Sequence, residues 1–386
     1  MRILTEEQKK WCDIIANYAK KEIEPVMYDY DKIIDPSKGI PLEAYKKGFE
    51  LGLNAFEIPQ EFGGCEVDLA TAAVMYEEMG YYDGNMASVF NTTNLALKPI
   101  LIGGTPEQVK YYASYILKGG YAAFALTEPQ SGSDASRAKC SAVYDKETDE
   151  YVITGEKCFI TNGGEAAIVC VIAMTDPSKG AKGLTAFMVP TDTPGFSVTK
   201  YEDKCGFRTL STCSLNFDHV RVPAWNRVGE EGEGFKIAMK TIDKSRACVG
   251  AIAVGMARRA LDEAIAFVKE RVTFGKPVSS RQGVQWMIAD MATKVEYSRL
   301  LVIHANDLLS KGLPFGKEAA MAKMTATESA MSVVTDAVQL MGGKGYMKDG
   351  PIEKIFRDIK VYCIFEGTTQ VQKMVISGAV LSGKGH

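Results

Sequence analysis

Histidine is scarce in this chain. His219, His304 and His386 are the only three in 386 residues, and none has a second histidine or a cysteine at ligand spacing, which excludes a histidine-based metal centre. His304 falls in an apolar helical pattern and is expected to be structural. CxxC pairs are missing too. The nine cysteines, at positions 12, 65, 140, 158, 170, 205, 213, 248 and 363, are scattered and odd in number, the pattern of free thiols in a reducing cytoplasm and not of a disulfide scaffold or zinc ribbon. An excess of positive charge is absent: 45 Lys and Arg stand against 48 Asp and Glu, a net charge of -3, so nothing is in surplus for nucleic-acid phosphates or anionic lipid. The longest apolar run, Cys248 to Ala257, stops at Arg258 and Arg259 and is too short to span a bilayer. The start, MRILTEEQKK, does not resemble a signal peptide, so a cytoplasmic chain is expected and the Asn91-Thr92-Thr93 sequon has no use. The common nucleotide fingerprints fail as well. GGKGYMKDG follows a helical pattern and lacks the third glycine of GxGxxG, and GxxxxGK[ST] does not occur.

What remains is an ordinary globular composition, 46% hydrophobic and 24% charged, with length for two or three domains. Three textures follow one another, without repeats or low-complexity linkers. Residues 1–120 are expected to form an N-terminal α-helical domain. Thr5 and Gln8 stand at capping-box positions before Trp11, Ile14, Ile15, Tyr18 and Ala19, and Thr105, Pro106 and Gly119 mark the start and stop of a later helix. Residues 121–228 carry short runs rich in β-branched and aromatic residues between Gly, Pro, Asp and Asn, which predicts a middle β domain. Residues 229–386 return to helical period after GEEGEG. There Met321, Met324, Met331, Val334, Val338 and Met341 line one face, which is expected to be core, before a stop at Gly342 and Gly343. The fold class expected is α+β multidomain, ending in a four-helix-bundle-like α domain.

Four clusters are candidates for chemistry. ALTEPQSGSDASR, residues 125 to 137, combines small and hydroxyl residues with Gly132, which lets a backbone approach a ligand; a connecting surface loop is the plainer alternative. KCFITNGG, residues 157 to 164, places Phe159 and Thr161 two apart, on one face of a strand ending in an Asn-Gly turn. An aromatic plate beside a hydroxyl suits a planar ring, and a core Phe beside an exposed Thr is the alternative. RVTFGKPV, residues 271 to 278, brings a cation, a hydroxyl and an aromatic out of a helix end, suited to a phosphate or a cofactor edge or to an ordinary helix terminus. QLMGGKGY is followed by IFEGTTQ, residues 364 to 370. In IFEGTTQ the apolar Ile364 and Phe365 before Glu366 would desolvate its carboxylate and raise its pKa, as a general base requires; a partly exposed loop glutamate is the other reading.

ALTEPQSGSD, KCFITNGG, RVTFGKPV, QLMGGKGY and IFEGTTQ occur in this order over almost the whole chain, from the N-terminal helix to about Gln372, and together they closely resemble the acyl-CoA dehydrogenase family. The resemblance implies a helical, β and helical domain plan with non-covalent FAD between the β domain and the C-terminal helices. Phe124 to Ser133, including Ala125, Leu126, Thr127 and Gly132, and Phe159, Ile160 and Thr161 would contact the flavin. Arg271, Thr273, Phe274 and Gln282, with Gln339, Gly342 and Gly343, would reach the FAD of a dimer partner. Thr368 and Gln370 would close over the cofactor of their own subunit. Ser133, Asp243, Arg246 and Gly367 match positions that touch acyl-CoA. Glu366 would take the pro-R α-proton while a hydride leaves the β-carbon for flavin N5, giving a trans-2-enoyl-CoA. The thioester carbonyl would be polarised by the flavin ribityl 2'-hydroxyl and the backbone N–H of Glu366. Arg246 is expected on a helix facing Glu366, tuning that carboxylate.

Two departures bear on these expectations. Phe159 stands where many members have Trp, and Ser245 stands where some members carry the base, which leaves Glu366 for that role. The implied partners are an acyl-CoA or enoyl-CoA, an electron-transferring flavoprotein, and copies of the same chain in a dimer of dimers. The same residues would serve an enoyl-CoA reductase running in reverse. A silent FAD-binding homologue is a third reading, opposed by Glu366, and the acidic balance opposes a DNA-associated role.

Overall fold

The computed structural model describes residues 3–383; His386, one of the three histidines above, lies outside them. The chain opens with α1 (Glu6–Tyr18), whose N-cap Thr5 and Gln8 do form the capping box, then α2 (Met27–Asp31) and α3 (Leu42–Glu50). α4 (Leu69–Tyr82) starts at the Asp68 cap, and α5 (Gly84–Gly103) at Asp83, whose side chain accepts from the Met86 N–H. α6 (Pro106–Leu117) carries the Thr105 capping box and stops before Gly119, where φ is 82°. α5 is buried along nearly its whole length, so its polar residues Asn91, Asn94 and Lys98 are interior groups that must find partners.

Next come β1 (Tyr121–Ala125), β2 (Ser141–Asp145), β3 (Glu150–Thr161), β4 (Ala166–Met174), β5 (Leu184–Pro190), β6 (Phe196–Tyr201), β7 (Thr212–Pro223) and β8 (Arg227–Val228). They build one mixed sheet in the order β6-β7-β3-β2-β4-β5-β8, with β1 pairing parallel to β4. β3 and β4 follow each other in sequence but have β2 between them, so the Asn162–Gly163 turn ends a strand without making a hairpin.

The C-terminal part holds α7 (Gly234–Glu270), a small hairpin of β9 (Val272–Thr273) and β10 (Lys276–Pro277), α8 (Gln282–Ser310), α9 (Gly316–Met341), α10 (Gly343–Tyr346), α11 (Pro351–Ile359) and α12 (Thr369–Leu381). α7 packs on α9, α8 and also on α4, so N-terminal and C-terminal helices share one core. Two glycines permit the α4–α7 crossing. A Cβ on Gly80 would lie 2.4 Å from Ile252 O, and one on Gly255 would lie 2.1 Å from Glu77 O.

The expected methionine core on α9 needs correction. Val334 is buried and Met331, Val338 and Met341 pack half-buried against its core, but Met321 and Met324 are half-buried outside it. The face pressed into the interior is Ala319, Ala322, Ala326, Ala330, Val333 and Ala337, because small residues let α9 approach the alanine-rich α7 closely. His304 is likewise exposed on α8 and is not a packed structural histidine.

Candidate active site

One half of the site is built at the ends of β1 and β3. After Ala125 the chain forms a loop closed by the Glu128–Ser131 bridge. Its anchor is Glu128, whose carboxylate accepts from Lys157 Nζ at 2.6 Å, from the N–H groups of Lys139 and Cys140, and from Gln130 Nε2. These donors hold the Glu128 carboxyl below the usual carboxylate range against the opposing effect of burial. Lys157 Nζ also donates to Leu126 O at 3.1 Å, and Cys158 N donates to Thr127 O at 2.9 Å, which ties the loop to β3.

β3 does not continue regularly past that tie. Lys157 pairs with Leu215 and Ile160 with Cys213, so β3 carries one extra residue, and Phe159 takes a left-handed backbone with φ 56°. The bulge comes before Ile160, and the alternation expected of the sequence is kept beyond it: Phe159 is turned outward with 64% of its surface exposed, Ile160 is buried and Thr161 is half-buried, an arrangement that favours a ligand. Leu126 and Ala125 are buried, Phe124 and Thr127 half-buried, and Gly132 and Ser133 exposed on the loop. A Cβ on Gly132 would meet nothing within 4 Å. An aromatic plate, two hydroxyls and a glycine-edged loop fit one face of a flat ring system such as a flavin.

Glu366 forms the other half. It lies between α11 and α12 with φ 52°, followed by Gly367 at φ 91°. Its Oε2 is sealed from solvent and has no hydrogen-bond partner, and Asn91 Nδ2 reaches Oε1 at 3.5 Å. Burial pushes the Glu366 carboxyl up; the Ser245 hydroxyl, Lys323, Lys98 and Arg246 oppose it, in that order. The Ser245 Oγ makes no hydrogen bond of normal geometry. Of the two flanking residues that the sequence suggested, only Phe365 contributes to the desolvation. Ile364 is 52% exposed, and the dry surroundings are made by α5, α7 and α9 together with Phe365, which packs edge-on against Tyr362 at 5.0 Å between ring centroids.

Arg246 is buried on α7, and its NH1 donates to Asp243, not to Glu366; its Nε is unpartnered. Its influence on Glu366 is thus electrostatic, and burial lowers its own pKa while Asp243 and Glu366 sustain it. Asp243 in turn is pushed up by burial and pulled down by Arg246. Gly367 offers its carbonyl to Lys323 Nζ at 2.7 Å and Gln372 Nε2 at 2.9 Å. The Thr368 hydroxyl caps α12 by accepting from Val371 N, and Gln370 is exposed.

The remaining predicted residues stand apart from this site. Arg271, Phe274, Gln282, Gln339, Gly342 and Gly343 are exposed and Thr273 is half-buried. Among the described residues no hydrogen bond joins their side chains to the Phe159 or Glu366 groups. Phe274 is 96% exposed at the hairpin tip, with Arg281 over its ring at 5.8 Å.

Four residues of the Glu366 surroundings were missed from sequence: Lys323, Gln372, Lys98 and Glu57. Lys98 and Glu57 form an ion pair with both side chains nearly sealed from solvent, and Tyr76 Oη donates to the other Glu57 oxygen at 2.8 Å. A signal existed. NLALKPIL and AAMAKMTA each set a lone lysine in a small, apolar helical run, and a cation on a buried face needs a partner.

Several unpartnered polar atoms collect here: Asn91 Oδ1, Ser245 Oγ, Arg246 Nε, Glu366 Oε2 and Gln372 Oε1. Buried polar groups are ordinarily paired, so such a gathering marks a place where a ligand completes the hydrogen bonding. Among the described residues no group of three or more His, Cys, Asp or Glu can hold a metal, and no helix is long and apolar enough to cross a membrane.

Comparison with known proteins covers the chain almost completely. Family models match in chain order: acyl-CoA dehydrogenase, N-terminal domain, at residues 5–120; middle domain, at 123–220; and C-terminal domain, at 232–381. The acryloyl-CoA reductase (NADH) of Anaerotignum propionicum is 44% identical over 379 residues, covering 98% of this chain and 95% of that protein. The butyryl-CoA dehydrogenase structure from Megasphaera elsdenii superposes with a TM-score of 0.94 at 38% identity, over 99% of this chain and 100% of that one. A chain in the structure of the electron transferring flavoprotein of Acidaminococcus fermentans, solved toward a mechanism of flavin-based electron bifurcation, gives a TM-score of 0.93 at 41% identity, over 99% of this chain and 100% of that chain.

Proposed function

The chain belongs to the acyl-CoA dehydrogenase family, and from that premise we propose that it interconverts a short acyl-CoA thioester and its trans-2-enoyl-CoA with Glu366 as the α-proton base. Members of the family are FAD-dependent oxidoreductases. The observation that carries the assignment of the base is Glu366 Oε2, a sealed and unpartnered carboxylate oxygen among three cations.

A thioester α-proton is weakly acidic, so its base must be dry and yet ionised. Burial of Glu366 raises its proton affinity, and Lys323, Lys98 and Arg246 keep the carboxylate form accessible. Among the described residues no backbone carbonyl accepts from the Glu366 N–H. That N–H is free to donate to the thioester carbonyl, which stabilises the negative charge developing as the proton leaves. FAD, when bound, supplies the acceptor for the hydride that leaves the β-carbon. Thr127, Phe159 and Thr161 would hold it from this chain, while Arg271, Phe274 and Gln339 would serve the cofactor of a neighbouring copy.

A short acyl group is favoured by the Lys98–Glu57 pair. Asn91, Asn94 and Lys98 follow one another at i, i+3 and i+7 along one face of α5, and Asn91 touches Glu366. A chain running from Glu366 along that face meets buried polar groups, which an alkyl tail cannot satisfy. The A. propionicum and M. elsdenii relatives bear the names of three- and four-carbon thioesters, in agreement. Electron-transferring flavoprotein is the proposed electron partner, supported by the likeness to the A. fermentans structure. The thiols of Cys140, Cys170, Cys213 and Cys248, buried and not in disulfides, support a reducing compartment and our assignment to the cytoplasm.

Glu366→Gln tests the base. The amide keeps the shape but accepts no proton, so turnover of butyryl-CoA should fall by roughly 100- to 10,000-fold with FAD content unchanged. Near-normal turnover would place the base elsewhere. A second reading, reduction of an enoyl-CoA, rests on the 44% identity to the acryloyl-CoA reductase. Steady-state reduction of acryloyl-CoA driven by NADH through an electron-transferring flavoprotein, against sustained oxidation of butyryl-CoA with that flavoprotein as acceptor, separates the two directions.

A further inference from the structure

The turn that carries Glu366 is held in a conformation that a glutamate does not choose by itself. Glu366 and Gly367 are both left-handed, and at Gly367 a Cβ would lie 2.6 Å from Gln372 Nε2. Both of their carbonyls are gripped from outside the turn. Gln372 Nε2 donates to Glu366 O at 3.3 Å and to Gly367 O at 2.9 Å. Lys323 Nζ donates to Gly367 O at 2.7 Å. Lys323 sits in the first third of α9, fully buried, as are its helix neighbours Ala319, Ala320, Ala322 and Ala326. A lysine in such a place is rarely tolerated without a partner, yet among the described residues no carboxylate lies within ion-pair distance of it. The largest charge acting on it is that of Glu366.

We propose that Lys323 is a positioning residue for proton abstraction: its ammonium fixes the Gly367 carbonyl, which sets the direction of the Glu366 side chain and N–H, and its charge holds the base ionised. The proposal rests on Glu366 being the base.

The charges around Glu366 come from every element packed against it. α5 brings Lys98, already paired with Glu57, and α7 brings Arg246, already paired with Asp243. α7 also brings Cys248, and Glu328 of α9 and Cys363 of the preceding turn lie beside Lys323. Lys323 alone among the three cations has no carboxylate bonded to it. Its pKa is pushed down to about 8 by desolvation and sustained first by Glu366, so it is charged at neutral pH. A cation favours the ionised carboxylate, so its loss must raise the pKa of Glu366 and move the acidic limb of the activity profile upward.

The test uses the FAD-loaded enzyme with butyryl-CoA and three variants: Lys323→Met, Lys323→Gln and Lys323→Arg. For each, FAD content and kcat/KM against pH are measured, with Glu366→Gln alongside. Lys323→Met should keep its FAD, lose up to about 100-fold in kcat through misplacement of the base, and shift its acidic limb upward by about one pH unit. Lys323→Gln can still donate to the Gly367 carbonyl but has no charge, so its limb should shift with a smaller loss of kcat. Lys323→Arg should return the limb to the wild-type position. An acidic limb unmoved in whichever uncharged variant folds would overturn the proposal, while survival of activity in Glu366→Gln would overturn instead the assignment of the base.

Discussion

The Lys157 ammonium lies 2.6 Å from the Glu128 carboxylate, and both side chains are shut off from solvent. The pair joins β3, just before the Phe159 bulge, to the loop after β1, so the two parts proposed to hold FAD share one buried bond. Removing one partner of such a pair leaves an unpaired charge in the interior, at about 3–5 kcal/mol. Glu128→Gln and Lys157→Met should each lower the melting temperature and leave the protein with less flavin after gel filtration. The double variant should lose less than the sum, since neither charge is then stranded. Full flavin content in both single variants would show that the pair is only structural.

Chain-length preference should follow the Lys98–Glu57 pair. Replacing both at once, Lys98→Met with Glu57→Leu, removes the polar end of the α5 face without stranding either charge. One methylene in an apolar pocket is worth about 1–3 kcal/mol, so kcat/KM for hexanoyl-CoA relative to butyryl-CoA should rise by at least about tenfold. Wild-type enzyme that turned over octanoyl-CoA as readily as butyryl-CoA would end this account of the pocket.

Glu165, whose carboxylate accepts from Ser211 Oγ, is pushed up from 4.5 to about 7, chiefly by burial. The folded state therefore keeps a proton that the unfolded state releases. The stabilisation from that proton is complete below the unfolded pKa and is lost as pH rises through about 7. At about 1.36 kcal/mol per unit the loss is at most roughly 3 kcal/mol. Glu165→Gln should be more resistant to urea than wild type at pH 8, and the advantage should shrink toward pH 5. An advantage independent of pH would assign it to some other cause.

Arg271→Ala should weaken FAD binding and self-association together. Arg271 is exposed beside a hairpin whose Phe274 is 96% exposed, and neither is among the residues proposed to hold FAD in its own chain. If both serve a neighbour's cofactor, binding and assembly are thermodynamically linked. Sedimentation with and without added FAD measures the linkage. A variant that loses FAD but assembles as wild type would break it.

Much of this molecule is legible along the chain because its signals are local. The Thr5–Gln8 and Thr105–Gln108 capping boxes lie within single turns and appear as expected. The β-branched runs between residues 121 and 228 become strands, and the five ordered motifs point to the family without any geometry. Glu366 is found from its motif, although its environment is not. Ile364, which should have dried it, faces solvent, and the helices that do so bring residues from as near as Lys323 and as far as Asn91, 275 positions away.

Tertiary structure alone decided the rest. The bulge that turns Phe159 outward depends on the register of β3 against β7, a partner more than fifty residues later. The closeness of α7 and α9, which makes alanines the core and leaves the methionines half-buried, depends on which faces meet. Lys98 with Glu57, Lys157 with Glu128 and Lys323 with Gly367 are joined across 29 to 44 residues of sequence. Sequence fixes which residues can carry charge and where helices and strands begin, since those choices are made within a few bonds. Whether a given lysine is a solvated surface group or a buried partner of a turn such as that of Glu366 is settled only when distant segments exclude water around it, because desolvation belongs to the packed assembly of elements and to no single one of them.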